Sequence, residues 1–412
     1  MNKGTSSHLS NLQMSTNGGI QGLDLEERSN LVELDRKLHT QWSLGRNFIL
    51  GWSPHDQGVM LLVVPHYAIA SYALPDESSA SDPGSRSQNF IMDLLSRRRQ
   101  IDLRRLENAA KLFHVEPVYV PLRKALTGVQ TDLDIVEQLV RRYSINYVPN
   151  RAVALFDIVG FSLLSPFEQM TQLNSLSYSL NSAHHKMVGT SIDVNFARSS
   201  TGDGFYIWNR DNGMQANSNL YHLMHLVMAD NAIARHKANG RTVPLLRTCF
   251  HVGGCYEFHQ AEGLNPTIRS DIVGDVTIEL ARMIARALPG QILVGDFSTQ
   301  LPATPDADAR EIDSIGFVNV AQKDLSELNG LELSGESIDS IKCYLTGEQQ
   351  KDGRFSIRKL SITDKHGLSR NVFNAKINIY RRDSDPILLG IEDKMLRNDT
   401  LDMKTVDQII CS

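Results

Sequence analysis

Apolar and polar positions change texture three times along the chain. Between residues 21 and 45, leucines spaced among charges predict a helix. The run GVMLLVVPHYAIASYAL, residues 58–74, is apolar but interrupted by Pro65 and His66, and it is short for a bilayer. It predicts a buried strand pair and no membrane span. The segment PDESSASDPGSRSQ then carries turn signals. Two helical patterns follow, NFIMDLLSRRRQIDLRRLENAAKLF and TDLDIVEQLVRRYSINYV (131–148), with a break at Pro149 and Asn150.

From Arg151 the pattern alternates between short apolar runs and long amphipathic ones. AVALFDI reads as a buried strand, and SPFEQMTQLNSLSYSLNSAHHKM as a helix starting at Ser165 and Pro166. IDVNFARSSTGDGFYIW reads as two strands around a glycine-rich turn. SNLYHLMHLVMADNAIARHKA is a second long helix, and LLRTCFHVGGCYEF a hairpin. VTIELARMIARAL is a third helix, closed by Pro289 and Gly290, and QILVGD is a strand. The order β-α-β-β-α-β-β-α-β predicts an α/β (α+β) fold. Its form is a ferredoxin-like mixed sheet with helices packed on it, not a doubly wound dinucleotide fold. Residues 353–391 alternate apolar and polar around turn signals, which predicts an antiparallel sheet of three or more strands. Three regions result: 1–148, a helical and mixed region; 149–325, the α/β region; and 326–412, a β-rich domain.

Composition narrows the function classes. The 412 residues are 41% hydrophobic and 22% charged, ordinary for a soluble globular protein, with a net charge of −5. Without a basic field, duplex nucleic acid is not an expected partner. Arg97, Arg98, Arg99, Arg104 and Arg105 have the periodicity of a solvated helix face. Cys249, Cys255, Cys343 and Cys411 fit no closed zinc spacing, which suits a reducing compartment. Residues 1–20 are polar, expected to be mobile, and lack the apolar stretch of a signal peptide. A cytoplasmic location is expected.

Candidate chemistry centres on one residue. Asp157 interrupts the apolar stretch AVALFDIVGFSLLSPFEQM near its end, and Asp203 sits in the turn SSTGDGF between the next two strands. Each alone is an ordinary turn former. Together, after strands that can be neighbours at one sheet end, they repel unless a cation lies between them. Oxygen ligands of this kind suit Mg²⁺ or Mn²⁺, with substrate phosphate oxygens completing the shell. Backbone around Ile158, Gly160, Phe161 and Ser162 runs toward a helix start, where N–H groups would cradle a triphosphate. Gly202 and Gly204 let the turn pass close to a ligand.

ALFDIVGFS, STGDGF, RTCFHVGGCY and SDIVGDVTIELARMIARALPGQILV, taken in order, resemble the class III nucleotidyl cyclases over roughly residues 151–325. The resemblance implies that Asp157 and Asp203, with the Ile158 carbonyl, hold two Mg²⁺ or Mn²⁺ ions per site. It implies that Arg282 stabilises charge on the α-phosphate, and that Asp271 contacts the base. It implies a head-to-tail homodimer with composite sites that converts a nucleoside triphosphate to a 3′,5′-cyclic nucleotide and pyrophosphate. Three positions depart from the usual pattern. Ser199 stands four residues before Asp203, where adenylate cyclases carry lysine and guanylate cyclases glutamate. Arg198 precedes it, and Ile278 replaces the ribose-orienting asparagine. Arg198 beside a small hydroxyl suits a base with a carbonyl edge. That combination resembles the pyrimidine cyclases of bacterial antiphage signalling. It implies UTP as substrate, with CTP or ATP as alternatives, and cUMP as a messenger for a downstream effector. The rival expectations are an adenylate cyclase making cAMP, favoured by Asp271, and a degenerate nucleotide-binding or interaction module, favoured by Ile278. The tail ITDKHGLSRNVFNAKINIY resembles sensor-like β domains appended to some defence nucleotidyltransferases and cyclases.

Overall fold

The computed structural model describes residues 24–73, 83–126, 130–190, 192, 194–261, 268–302, 309–348, 355–364, 367–397 and 403–410. The polar first twenty residues and Cys411 lie outside them. The elements are α1 (Leu25–Trp42), β1 (Asn47–His55), β2 (Gly58–Pro65), α2 (His66–Ala73), α3 (Pro83–Ser96), α4 (Leu103–Phe113), β3 (Val118–Pro121), α5 (Gln130–Arg141) and β4 (Ile145–Ile158). Then come α6 (Pro166–Gly189), β5 (Phe196–Ser200), β6 (Gly204–Asn209), α7 (Met214–Lys237), β7 (Leu246–Ala261), β8 (Ile268–Val273), α8 (Asp275–Ile284) and β9 (Ile292–Gly295). The remainder are β10 (Ser298–Pro302), β11 (Ala309–Asp313), α9 (Ser314–Asp324), β12 (Glu332–Leu333), β13 (Glu336–Leu345), β14 (Ser356–Thr363), β15 (Ser369–Arg381), β16 (Ser384–Leu389) and β17 (Met403–Ile410). Among the described residues, no helix is long and apolar enough to cross a membrane.

The chain divides into two compact units, Met1–Val148 with Tyr256–Ile272, and Pro149–Cys255 with Val273–Ser412. In the first unit, β1, β2 and β3 form an antiparallel sheet. Alternation along β1 sends Ile49 to a core shared with Leu34 and Leu38 of α1 and Leu139 and Val140 of α5. The next residue, Leu50, faces Leu94 of α3 and Leu106 and Phe113 of α4. The sheet is therefore covered on both faces.

Several expectations change here. The run 58–74 is one strand followed by helix α2, because the chain turns at Pro65 into His66–Ala73. The turn-rich segment already becomes α3 at Pro83. The single pattern across residues 89–113 is two helices, separated by a short extended piece that pairs Gln100 with Trp52. Arg99 lies in that piece and is 0% exposed, not solvated. Its guanidinium donates to Leu95 O (2.6 Å) and Asn146 Oδ1 (2.9 Å), and also to Leu94 O, so carbonyls at the end of α3 accept its charge. Buried Glu137 accepts from the backbone N–H groups of Arg99 and Gln100 and from Trp52 Nε1. Arg97 and Arg105 pair with Asp93, and Arg98 with Asp134. Finally, α5 ends at Arg141, and β4 begins at Ile145 and continues through Pro149.

In the second unit one sheet runs in the order β12-β13-β15-β9-β7-β4-β6-β5. The predicted elements between Arg151 and Gly295 are present, with two differences: α8 ends at Ile284, short of the expected stop at Pro289, and the predicted hairpin is not one. LLRTCFHVGGCYEF is a single strand, β7, whose hairpin partner is β8. The tail strands β14, β15 and β16 form as the alternation predicts. They continue the same sheet, because β15 pairs antiparallel with β9 (Val372↔Gly295, Ala375↔Ile292). Residues 326–412 thus lie in the same compact unit as Pro149–Cys255.

Helix α7 is buried on almost every side from Ala216 to Ala229, because α6, α9 and β6 all pack on it. Two histidines are caught inside. His222 Nε2 donates to Ala321 O (3.0 Å), and its pKa is pushed down to about 4 by burial. Burial pushes His225, edge-on to the Tyr221 ring, well below its ordinary value. On β7, His251 is pushed down to about 4, chiefly by burial. These rings gain charge in the unfolded chain near pH 6.5 but resist it when folded, so stability is full above pH 6.5 and falls as pH drops toward 4. Urea unfolding should lose about 2 kcal/mol per histidine between pH 7 and pH 5, and His225→Phe should shed one share. A flat pH profile would show that these rings are not held neutral in the core.

Candidate functional site

The site grows from the register of β4 against β6. Asp157 pairs with Gly204 and Phe156 with Phe205, so the residue before β6, Asp203, arrives beside the end of β4. Ile158 N–H donates to Asp203 O (3.0 Å), which fixes this end. The approach is close enough that a Cβ on Gly204 would lie 1.9 Å from Phe156 O and 3.1 Å from Asp157 Cα. Gly202 supplies a left-handed turn residue at φ +97°. Within the turn, Thr201 Oγ1 donates to Asp203 Oδ1 (3.1 Å), and Gly202 N–H to Ser200 Oγ (3.1 Å).

The structure therefore brings Asp157 and Asp203 together. Asp157 is 6% exposed. Burial, first, holds its carboxyl above the ordinary carboxylate range; Arg247 opposes this, and the neighbouring Asp203 adds to it. Arg247 projects from β7 and donates Nε–H to Asp157 Oδ2 (2.8 Å), with its terminal NH2 on the same oxygen. The sequence reading missed this arginine. Its signal was present: a lone cation inside the apolar run LLRTCF, matching the lone acid inside AVALFDI.

The backbone after Asp157 differs from a plain helix start. Val159 N–H is held by Leu245 O (2.9 Å), and Gly160 turns left-handed at φ +68°. A 3₁₀ turn then spans Phe161–Leu163, closed by Leu163 N–H on Gly160 O (2.9 Å). That geometry leaves Phe161 and Ser162 N–H without intrahelical acceptors. Helix α6 starts only at Pro166, and Ser165 and Glu168 satisfy its first turn as a capping box. The backbone before it is a 3₁₀ turn with Gly160 at its entry. The N-terminus of α6 already carries its own carboxylate. Ile158 N–H is engaged by Asp203 O, so it cannot join the expected triphosphate cradle.

The other expected residues fall elsewhere. Arg198 and Ser199 lie on β5, the last strand of the sheet path, opposite Ile207 and Tyr206. The Arg198 guanidinium sits over the Phe205 ring (5.3 Å) and donates to Ser177 Oγ (2.8 Å), while the residue stays exposed at the sheet edge. Arg282, in the last turn of α8, pairs with Asp364 (3.0 Å) and more loosely with Glu279 (3.8 Å), not with the aspartate pair. Ile278 is 46% exposed on the same helix. Asp271 belongs to the first unit, where its Oδ1 accepts from Ile272 N–H (3.0 Å).

Two touching carboxylates, one above its ordinary pKa, form an all-oxygen donor set that fits a hard divalent cation. Among the described residues, no group of three or more His, Cys, Asp or Glu side chains converges on a metal position. A cation here would need a backbone carbonyl, water or substrate oxygens as its further ligands.

No protein-family model and no curated protein matches this sequence. Part of the chain is similar in structure to solved nucleotidyl cyclases. The guanylate cyclase domain of RhGC from Catenaria anguillulae in complex with GTP shares 11% identity, covering 40% of this chain and 96% of that one, at a TM-score of 0.28. The adenylyl cyclase CyaB from P. aeruginosa shares 14% identity, covering 58% and 100%, at 0.31. The guanylyl cyclase Cya2 shares 10%, covering 56% and 92%, at 0.29. Likenesses of this size concern the fold alone, and the chemistry of the site rests on its own residues.

Proposed function

We propose that the protein is a nucleotidyl cyclase that converts UTP to 3′,5′-cyclic UMP and pyrophosphate. The observation that carries this reading is the Asp157–Asp203 pair, set side by side by the close antiparallel pairing of β6 with β4 at Gly204. Asp157, Asp203 and the Ile158 carbonyl would hold Mg²⁺ or Mn²⁺, which supplies charge neutralisation and a lowered pKa at the ribose 3′-hydroxyl. The 3′-hydroxyl gives up its proton to water, its oxygen attacks the α-phosphorus, and the bond from that phosphorus to the bridging oxygen breaks, releasing pyrophosphate.

The chain's own groups position this step. Phe161 and Ser162 N–H face a phosphate without competition from a helix acceptor. Arg247 shares one Asp157 oxygen and can turn its remaining N–H donors to the triphosphate. Arg282 would donate to the α-phosphate oxygens, from the partner subunit of a head-to-tail homodimer as the family resemblance implies. Arg198, in contact with Ser177 and Phe205 and next to the small Ser199, would donate to a uracil carbonyl. A role as an antiphage messenger rests on the sequence resemblance alone.

The test is incubation with Mn²⁺ and each of the four ribonucleoside triphosphates, with products identified by mass spectrometry. Cyclic UMP is expected. Dominant cyclic AMP would overturn the pyrimidine reading, and no cyclic product from any of the four would overturn the cyclase reading. Arg247→Ala should lower turnover about 10²-fold. It should also cost about 1–3 kcal/mol in stability, because buried Asp157 loses its charge partner. Arg247→Lys should recover the stability and only part of the rate, since a lysine lacks the fork.

A further inference from the structure

Arg282 has a partner that the cyclase reading does not explain. Asp364 stands at the turn between β14 and β15, where a carboxylate is ordinarily wet. Here its side chain is only 7% exposed, and its Oδ2 lies 3.0 Å from Arg282 Nε. Its other oxygen, Oδ1, accepts Leu368 N–H (2.9 Å), so the turn itself fixes the side chain. Gly367 N–H on Asp364 O (3.1 Å) and Asp364 N–H on Leu368 O (3.0 Å) close the same turn. Glu279, the alternative partner, is 3.8 Å from Arg282 and is taken more closely by Arg370 of β15 (3.1 Å). The four charges balance, and two of them, Asp364 and Arg370, belong to the hairpin. The root of the hairpin is fixed to the central sheet by the β15–β9 pairing, while its tip turns at Gly367 with φ +80°.

We propose that Asp364 is an autoinhibitory latch on Arg282, its carboxylate competing with a triphosphate for the guanidinium. This rests on the reading of Arg282 as the phosphate-binding arginine, and it assigns the tail hairpin a regulatory role on that site. Five N–H donors in a plane cannot serve a buried carboxylate at Nε and a phosphate from the same side at once.

The test uses Asp364→Asn in the full chain. Asparagine keeps the Oδ1 acceptor for Leu368 N–H and removes the charge facing Arg282. Two readouts are taken: turnover of the triphosphates with Mn²⁺, and the rate at which phenylglyoxal modifies Arg282, followed by peptide mass spectrometry. Inorganic tripolyphosphate serves as the competing anion. We expect Arg282 labelling several-fold faster in the variant, protection by tripolyphosphate at several-fold lower concentration, and turnover raised several-fold. Unchanged labelling overturns the latch. Faster labelling with lower turnover also overturns it, because Asp364 would then be positioning Arg282 for the reaction. Faster labelling and stronger protection, with no turnover by either protein, uphold the latch while the cyclase reading fails. Should that variant not fold, Asp364→Ser, whose hydroxyl can still accept Leu368 N–H, takes its place. Faster Arg282 labelling in it upholds the latch and unchanged labelling overturns it.

Discussion

Asp203→Asn should reduce nucleotide turnover by about 10³-fold or more while leaving the melting temperature unchanged or raised. The loss follows from the donor set. Two carboxylates hold the cation, and an amide offers neither the charge nor the second oxygen; several kcal/mol of transition-state stabilisation go with it. The melting behaviour follows from electrostatics. Asp203 is one of the groups that hold the Asp157 carboxyl above its ordinary range, behind burial. For an acid with a raised folded pKa, the folded state is penalised once pH rises above the unfolded value near 3.9, and the penalty is fully present at neutral pH. Removing the like charge relieves part of it. Asparagine also keeps an oxygen for the Thr201 hydroxyl. Mn²⁺ should raise the melting temperature of the wild type and not of the variant. A variant that melts well below wild type with or without Mn²⁺ would show that Asp203 is a turn-forming residue first. The metal-site reading would then lose its support.

The parts of this site that were legible in the sequence are those where chemistry conflicts with its surroundings. Asp157 stands out because it is a charge in a strand otherwise fit for the core. Asp203 stands out because glycines flank it. Arg247 carries the same conflict, but its partner is ninety positions away. Only the sheet order β7-β4-β6 shows that the two charges cancel. Arg99 failed for the opposite reason. Periodicity treats every arginine as wet, whereas carbonyls at a helix end can solvate one completely. The stretch LLRTCFHVGGCYEF read as a hairpin, yet Gly253 and Gly254 lie in the middle of one strand. A Cβ on Gly253 would lie 3.4 Å from Val276 Cβ, and one on Gly274 would lie 2.9 Å from Gly254 O, so these glycines let α8 approach β7. The attachment of β15 to β9 has no sequence signature at all, since backbone hydrogen bonds make it and any strand can supply them. That is why the tail read as a domain of its own, and why its carboxylate against Arg282 could not be foreseen.

Gly204→Ala should be among the most damaging single methyl groups in the second unit, and a comparison with Gly202→Ala isolates the reason. A Cβ at 204 meets backbone, Phe156 O at 1.9 Å and Phe156 C at 2.9 Å, and no side chain there can swing aside. The strand must move away from β4, which breaks the register that sets Asp203 beside Asp157. Overpacking against backbone of this kind costs about 3 kcal/mol or more. At Gly202 a Cβ meets nothing within 4 Å, and the cost is only that of a left-handed residue at φ +97°, about 1–2 kcal/mol. Urea unfolding should therefore rank wild type above Gly202→Ala and Gly202→Ala above Gly204→Ala. Turnover should separate them further. Gly202→Ala keeps the β4–β6 pairing and should retain measurable activity, whereas Gly204→Ala should lose both activity and the Mn²⁺-dependent rise in melting temperature. Equal effects from the two substitutions would mean that the turn conformation, and not the close pairing, places the carboxylates. A mild Gly204→Ala with full activity would mean that the two strands need not approach so closely for the site to work.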